Sequence, residues 1–128
     1  MNTRKQIDYW KTSADEDFSA AQSLLEKGHL RHALFFAHLS IEKMLKAQVT
    51  ERTKDIPPRI HNLSRIAEIA GLSFSTEQAN FLRSFDMYQL EGRYPDRAKV
   101  ILDSKTAREK LSMVRDILKW LKAQLKPQ

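Results

Sequence analysis

Histidines at positions 29, 32, 38 and 61 are the only imidazoles in a chain of 128 residues that contains no cysteine. Thiolate nucleophiles, thiolate zinc sites and disulfide frameworks are therefore excluded. His29 and His32 are three apart and can share a helical face, but no carboxylate stands at a companion spacing and no H-E-x-x-H occurs. Neither a metal nor another cofactor is expected. The three glycines are scattered, so a G-x-S-x-G elbow and a phosphate-cradling glycine loop are both missing. Histidine, arginine and tyrosine are left as the groups able to do chemistry.

Three places gather such groups. In Ile41-Glu42-Lys43-Met44-Leu45-Lys46-Ala47, the apolar residues face a core and Glu42 and Lys46, four apart, share another face. Spacing alone reads these two as an ordinary helical ion pair, worth roughly 0.2–0.5 kcal/mol. The segment Glu91-Gly92-Arg93-Tyr94-Pro95-Asp96 joins a planar cation, a ring and a carboxylate on restrained backbone. Arginine suits phosphate by bidentate hydrogen bonding, and tyrosine can stack on a base. Tyr88, six residues earlier, adds a second phenol to that region. His61 follows Pro57-Pro58 at the entry to a short helix, where an imidazole can donate or accept a proton.

The elements that must position these groups are helical. Ile7, Trp10, Ala14, Phe18, Ala21, Leu24 and Leu25 recur at steps of three or four, which predicts a helix from about Arg4 to Lys27. Gly28 stands where a left-handed terminal residue is wanted. A second helix follows from about Leu30 to Arg52; Phe35 and Phe36 widen its apolar stripe, so it should be central. Pro57-Pro58 marks a loop, and a short helix is expected from about His61 to Ala70, ended by Gly71. Ser75 or Thr76 caps the next helix, whose apolar positions run from Ala79 to Leu90. The last helix spans about Ser104 to Leu125. No stretch alternates with period two for long enough to form a strand. The expected fold is one all-α domain over residues 1–128, an up-and-down bundle of four main helices and one short one.

Lys and Arg number 22 against 16 Asp and Glu, a net charge of +6. Residues 31–65 carry +4 and residues 104–128 carry +5, while 1–30 and 66–103 carry −1 and −2. The basic residues of the last helix read by default as a solvated face. No apolar run approaches the roughly 20 residues that cross a bilayer, and the N-terminus leads into charge, so a cytoplasmic protein is expected.

In order and spacing these residues resemble the HEPN family of small helical domains. The likeness runs from Ala14-Asp15-Glu16-Asp17-Phe18 through Leu24-Leu25-Glu26-Lys27-Gly28-His29-Leu30-Arg31-His32-Ala33 and Ile41-Glu42-Lys43-Met44-Leu45-Lys46-Ala47. It continues with His61-Asn62-Leu63, Tyr88 and Arg93-Tyr94-Pro95-Asp96. The resemblance implies a bundle like the substrate-binding domain of nucleotidyltransferases, commonly a homodimer, and often paired with a minimal nucleotidyltransferase. Some such pairs are toxin–antitoxin systems in which the HEPN protein is a metal-independent ribonuclease using an Arg-x4–6-His motif. Here Arg59 and His61 are too close for that motif, and no histidine follows Arg93; Arg31 and His38 have six residues between them. The leading expectation is a nucleotide- or RNA-binding partner of a small nucleotidyltransferase. Arg93 and Tyr94 would hold phosphate and base, with Glu42, Lys43, Lys46, His61, Tyr88 and Asp96 around them. The alternative is a ribonuclease drawing on Arg31, His38 or His61, and a further one is a structural dimer without ligand.

Overall fold

The computed structural model describes residues 2–89 and 102–126. Five helices account for most of them: α1 (Thr3–Glu26), α2 (Leu30–Thr53), α3 (Leu63–Ala70), α4 (Thr76–Phe85) and α5 (Ser104–Gln124). No strand occurs among the described residues.

The Asn2 side chain caps α1 by accepting from Lys5 N at 3.1 Å. Gly28, at φ +82°, takes the left-handed conformation that ends the helix and turns the chain back. The resulting α1–α2 hairpin is closely packed, with small residues buried on both helices. Ala14 and Ala21 of α1, and Ala33 and Ala37 of α2, are completely buried. Helix α2 is the core element, packing against α1, α3 and α5, with residues buried on every side. The apolar width expected of it is therefore present, although Phe35 and Phe36 are only half-buried.

Side-chain hydrogen bonds fix the neighbours of α2. Gln48 Nε2 donates to the Leu121 carbonyl at 2.6 Å and ties α2 to α5. Asn62 caps α3 through Arg65 N at 2.8 Å, and Ser75 with Gln78 forms a reciprocal capping box on α4. Asp103 caps α5 through Thr106 N at 2.7 Å, and that hydrogen bond holds its carboxyl below the ordinary value of 3.8.

Two expected boundaries shift. The short helix begins at Leu63, because Asn62 supplies the capping oxygen and leaves His61 in the preceding loop. The fourth helix is interrupted after Phe85, where Asp86 caps it and turns its carboxylate inward, and helical backbone resumes over residues 87–89 with a Gln89 N to Asp86 O bond of 3.2 Å. The five-helix, all-α bundle expected from the sequence is thus present among the described residues.

Candidate functional site

The stripe that buries Ile41 and Leu45 leaves Glu42 and Lys46 on an adjoining face of α2, as their spacing requires. That face is covered by the chain entering α3 and by Trp10 of α1. Glu42 is 4% exposed and Lys46 7%, so the pair is buried, which the sequence reading of an ordinary surface ion pair did not foresee. Glu42 Oε2 accepts two hydrogen bonds of 3.1 Å, one from Lys46 Nζ and one from His61 Nδ1. Lys46 Nζ also lies 5.6 Å from the centre of the Trp10 ring, close enough for a cation–π contact.

A second carboxylate sits behind the first. Asp86 Oδ1 accepts from the backbone N–H of Leu63 at 3.0 Å and pairs with His38 Nε2 at 2.9 Å. His38 is fully buried, with its ring stacked on Phe85. Its Nδ1 faces Glu42 Oε1 at 3.8 Å, beyond hydrogen-bond length, and neither buried atom has another partner among the described residues. A chain of side chains therefore runs from Asp86 through His38 and Glu42 to Lys46 and His61. Only His61, with its side chain 44% exposed, reaches far into solvent.

The chemistry of this arrangement follows from donor and acceptor types. A carboxylate oxygen accepts, so His61 Nδ1 carries the hydrogen toward Glu42. The opposite ring nitrogen, Nε2, then points away from Glu42 as a lone pair, or as a donor when the ring is protonated. A buried carboxylate that orients an accessible imidazole can serve proton transfer, or hold a phosphate through the charged form. Lys46 keeps the carboxylate compensated, as a buried charge requires. No group of three or more His, Asp or Glu side chains among the described residues is disposed to hold a metal ion.

The other expected site residues are scattered. Lys43 projects to α1, where its Nζ lies 2.7 Å from both Ser13 Oγ and Asp17 Oδ2. Tyr88 is 5% exposed and packs its ring against Phe85, so it belongs mainly to the core. Arg31 is exposed at the start of α2 whereas His38 is sealed, and the two share no accessible surface. Arg93, Tyr94 and Asp96 lie outside the described residues. Asp86 was not singled out from sequence; the available signal was a lone carboxylate inside the apolar run Phe85-Asp86-Met87-Tyr88.

Comparison with known proteins bears on the whole bundle. The HEPN domain model matches residues 7–124. The fold is similar to the crystal structure of TT1696 from Thermus thermophilus, with a TM-score of 0.79, 21% identity, and coverage of 94% of this chain and 98% of that one. It is also similar to ST0689, described as an archaeal HEPN homologue, with a TM-score of 0.69, 21% identity and the same coverage. No match is found among functionally curated proteins.

Proposed function

The chain belongs to the HEPN domain family, and from that premise we propose that it binds the phosphate of a nucleotide or RNA as a partner of a small nucleotidyltransferase. The observation that supports this reading most is the His61–Glu42 pair. It is an accessible imidazole held at 3.1 Å by a carboxylate that is itself buried and neutralised by Lys46. In that setting a protonated His61 presents one N–H outward to an anion while its other N–H remains anchored. Arg93 and Tyr94, which lie outside the described residues, would supply the bidentate cation and the stacking surface that such a ligand needs. The protein would work in the cytoplasm as a homodimer.

Calorimetric titration with ATP, GTP and a short RNA tests this reading. Binding by the parent protein that disappears in both Arg93→Ala and His61→Ala is the expected result. Titrations that show no binding, or binding indifferent to both substitutions, refute it.

The same imidazole favours one second reading, a metal-independent ribonuclease. His61 Nε2 would take the proton of a ribose 2′-OH, whose oxygen attacks phosphorus and expels the 5′-oxygen, leaving a 2′,3′-cyclic phosphate. The departing 5′-oxygen takes a proton from solvent water, and protonated His61 returns its proton to the hydroxide so formed. His38 is too deeply buried to take part, so this reading rests on His61 and not on an Arg31–His38 motif. Chelator-resistant RNA cleavage that is lost in His61→Ala, with loss in His38→Ala paralleled by unfolding, would establish it in place of simple binding.

A further inference from the structure

Helix α5 carries a second concentration of charge that shares no residue with the Glu42 cluster. Lys105, Arg108, Ser112, Arg115, Lys119 and Lys122 follow one another at steps of three and four, and all six are exposed. Those steps stack side chains along one line of a helix. The line is about 25 Å long at 1.5 Å per residue, and its cations stand about 5 Å apart along the axis where the steps are consecutive. The two carboxylates of α5 flank the line on one side, Glu109 four residues after Lys105 and Asp116 three before Lys119, and the opposite flank carries none.

Three features set this line apart from an ordinary solvated face. Like charges three and four apart repel by a few tenths of a kcal/mol each, and Lys105, Arg108 and Lys119 have no ion pair among the described residues to offset that. Arg115 lies over the Phe18 ring at 5.8 Å, so its guanidinium rests on an aromatic support. Beside it, Asp15, Phe18, Arg115, Leu118, Lys119 and Lys122 surround a recess of about 170 Å³. Asp15 is committed to Lys122 at 2.7 Å, and is the carboxylate that enters the recess. A row of cations, interrupted only by the small Ser112, suits a row of phosphates, and a small recess with an aromatic wall and a supported guanidinium suits one stacked base. A folded acidic protein would use the row but not the recess.

We propose that this face of α5 is a track for the backbone of single-stranded RNA, with one base seated in the recess beside Phe18 and Arg115. The inference rests on the preceding reading in taking RNA as the ligand, but it uses different residues. Four cations (Lys105, Arg108, Arg115 and Lys119) are free to contact phosphate, while Lys122 is already paired. For single strands the logarithm of affinity falls with the logarithm of salt at about 0.7 per phosphate contact, so four contacts give a slope near −2.8. Between about 50 and 200 mM salt, that slope corresponds to a roughly 50-fold loss of affinity.

Fluorescence anisotropy with a labelled single-stranded RNA about a dozen nucleotides long tests the track. The full chain is compared with the triple variant Arg108→Gln, Arg115→Gln, Lys119→Gln, whose exposed substitutions are checked by circular dichroism. The variant should bind more weakly and lose only about threefold over the same salt range, as one remaining contact predicts. Its titration with ATP should match that of the parent chain. Loss of RNA binding in the variant, with no ATP binding or His61 dependence in either protein, supports the track and removes the mononucleotide site instead. RNA binding and salt slope unchanged in the variant overturn the track, as does the absence of RNA binding by the parent chain at about 50 mM salt. Polyglutamate bound as tightly as RNA through the same residues also overturns it, because a generic anion surface would then suffice.

Discussion

Replacing Glu42 with alanine separates a buried structural anchor from a surface ion pair, because the two differ several-fold in energy. An exposed pair four apart on a helix contributes about 0.3–0.5 kcal/mol. Glu42 and Lys46 are instead 5% and 8% exposed at their side chains, and Oε2 also carries the His61 hydrogen bond. Removing one partner of a buried pair strands the other charge, at a cost of about 3–5 kcal/mol. The Trp10 ring, 5.6 Å from Lys46 Nζ, relieves part of that cost. We therefore expect Glu42→Ala to lose about 3 kcal/mol, at the low end of that range. For a chain of this size the loss lowers Tm by about 10 °C. Urea unfolding followed by circular dichroism measures it, with an unchanged m-value showing that the loss lies in stability. Adding Lys46→Met removes the stranded charge, so the double variant should recover much of the loss as a coupling energy. A loss below about 0.5 kcal/mol for Glu42→Ala, with no coupling to Lys46, would show the pair to behave as an exposed one and contradict its role as a buried anchor.

Other expectations follow from the same coordinates. Asp86→Ala leaves both the Leu63 N–H and His38 Nε2 without their shared acceptor, and should cost about 2–3 kcal/mol in chemical denaturation. Asp86→Asn can keep the acceptor and should cost less than Asp86→Ala. Gly71→Ala places a Cβ at φ +68°, against the Arg52 guanidinium. It should lower stability by about 1 kcal/mol in the same measurement, because alanine disfavours that backbone region. The Asp103 carboxyl titrates below 3.8 when folded, so its contribution is fully present above that value and fades as pH falls through the lowered folded value. Asp103→Asn should flatten acid-unfolding curves in that window and leave stability near neutral pH little affected, since asparagine also caps helices.

Periodicity revealed the bundle because each long helix presents a stripe to a neighbour, and Gly28, Gly71 and Ser75 mark ends by backbone chemistry that is visible locally. The end of α4 at Phe85 is of another kind: helical spacing and helical backbone both resume over residues 87–89, and the interruption falls at Asp86, whose carboxylate turns toward Leu63 and His38, 23 and 48 residues away. The site was legible in the same partial way. Glu42 and Lys46 stand out by spacing, and His61 by its place after two prolines. Their burial depends on Trp10 and the α3 entry closing over α2, and pair spacing carries no trace of that. Arg31 and His38 fit one face on a helical wheel, yet depth separates them, since the first lies at an exposed helix end and the second under Phe85. The α5 cations were visible as composition. Their single line follows from their spacing, but the recess at Phe18 emerges only when α1 lies alongside.

The claim that His61 is the accessible head of a buried polar chain is tested most directly by nitrogen-edited NMR of the four imidazoles during titration with ATP and short RNA. The His61 Nε2 resonance should move and saturate with ligand, its Nδ1 remaining bonded to Glu42, while sealed His38 changes little. A His61 signal that stays fixed at ligand saturation, or ligand-induced shifts confined to His29 and His32, would contradict it.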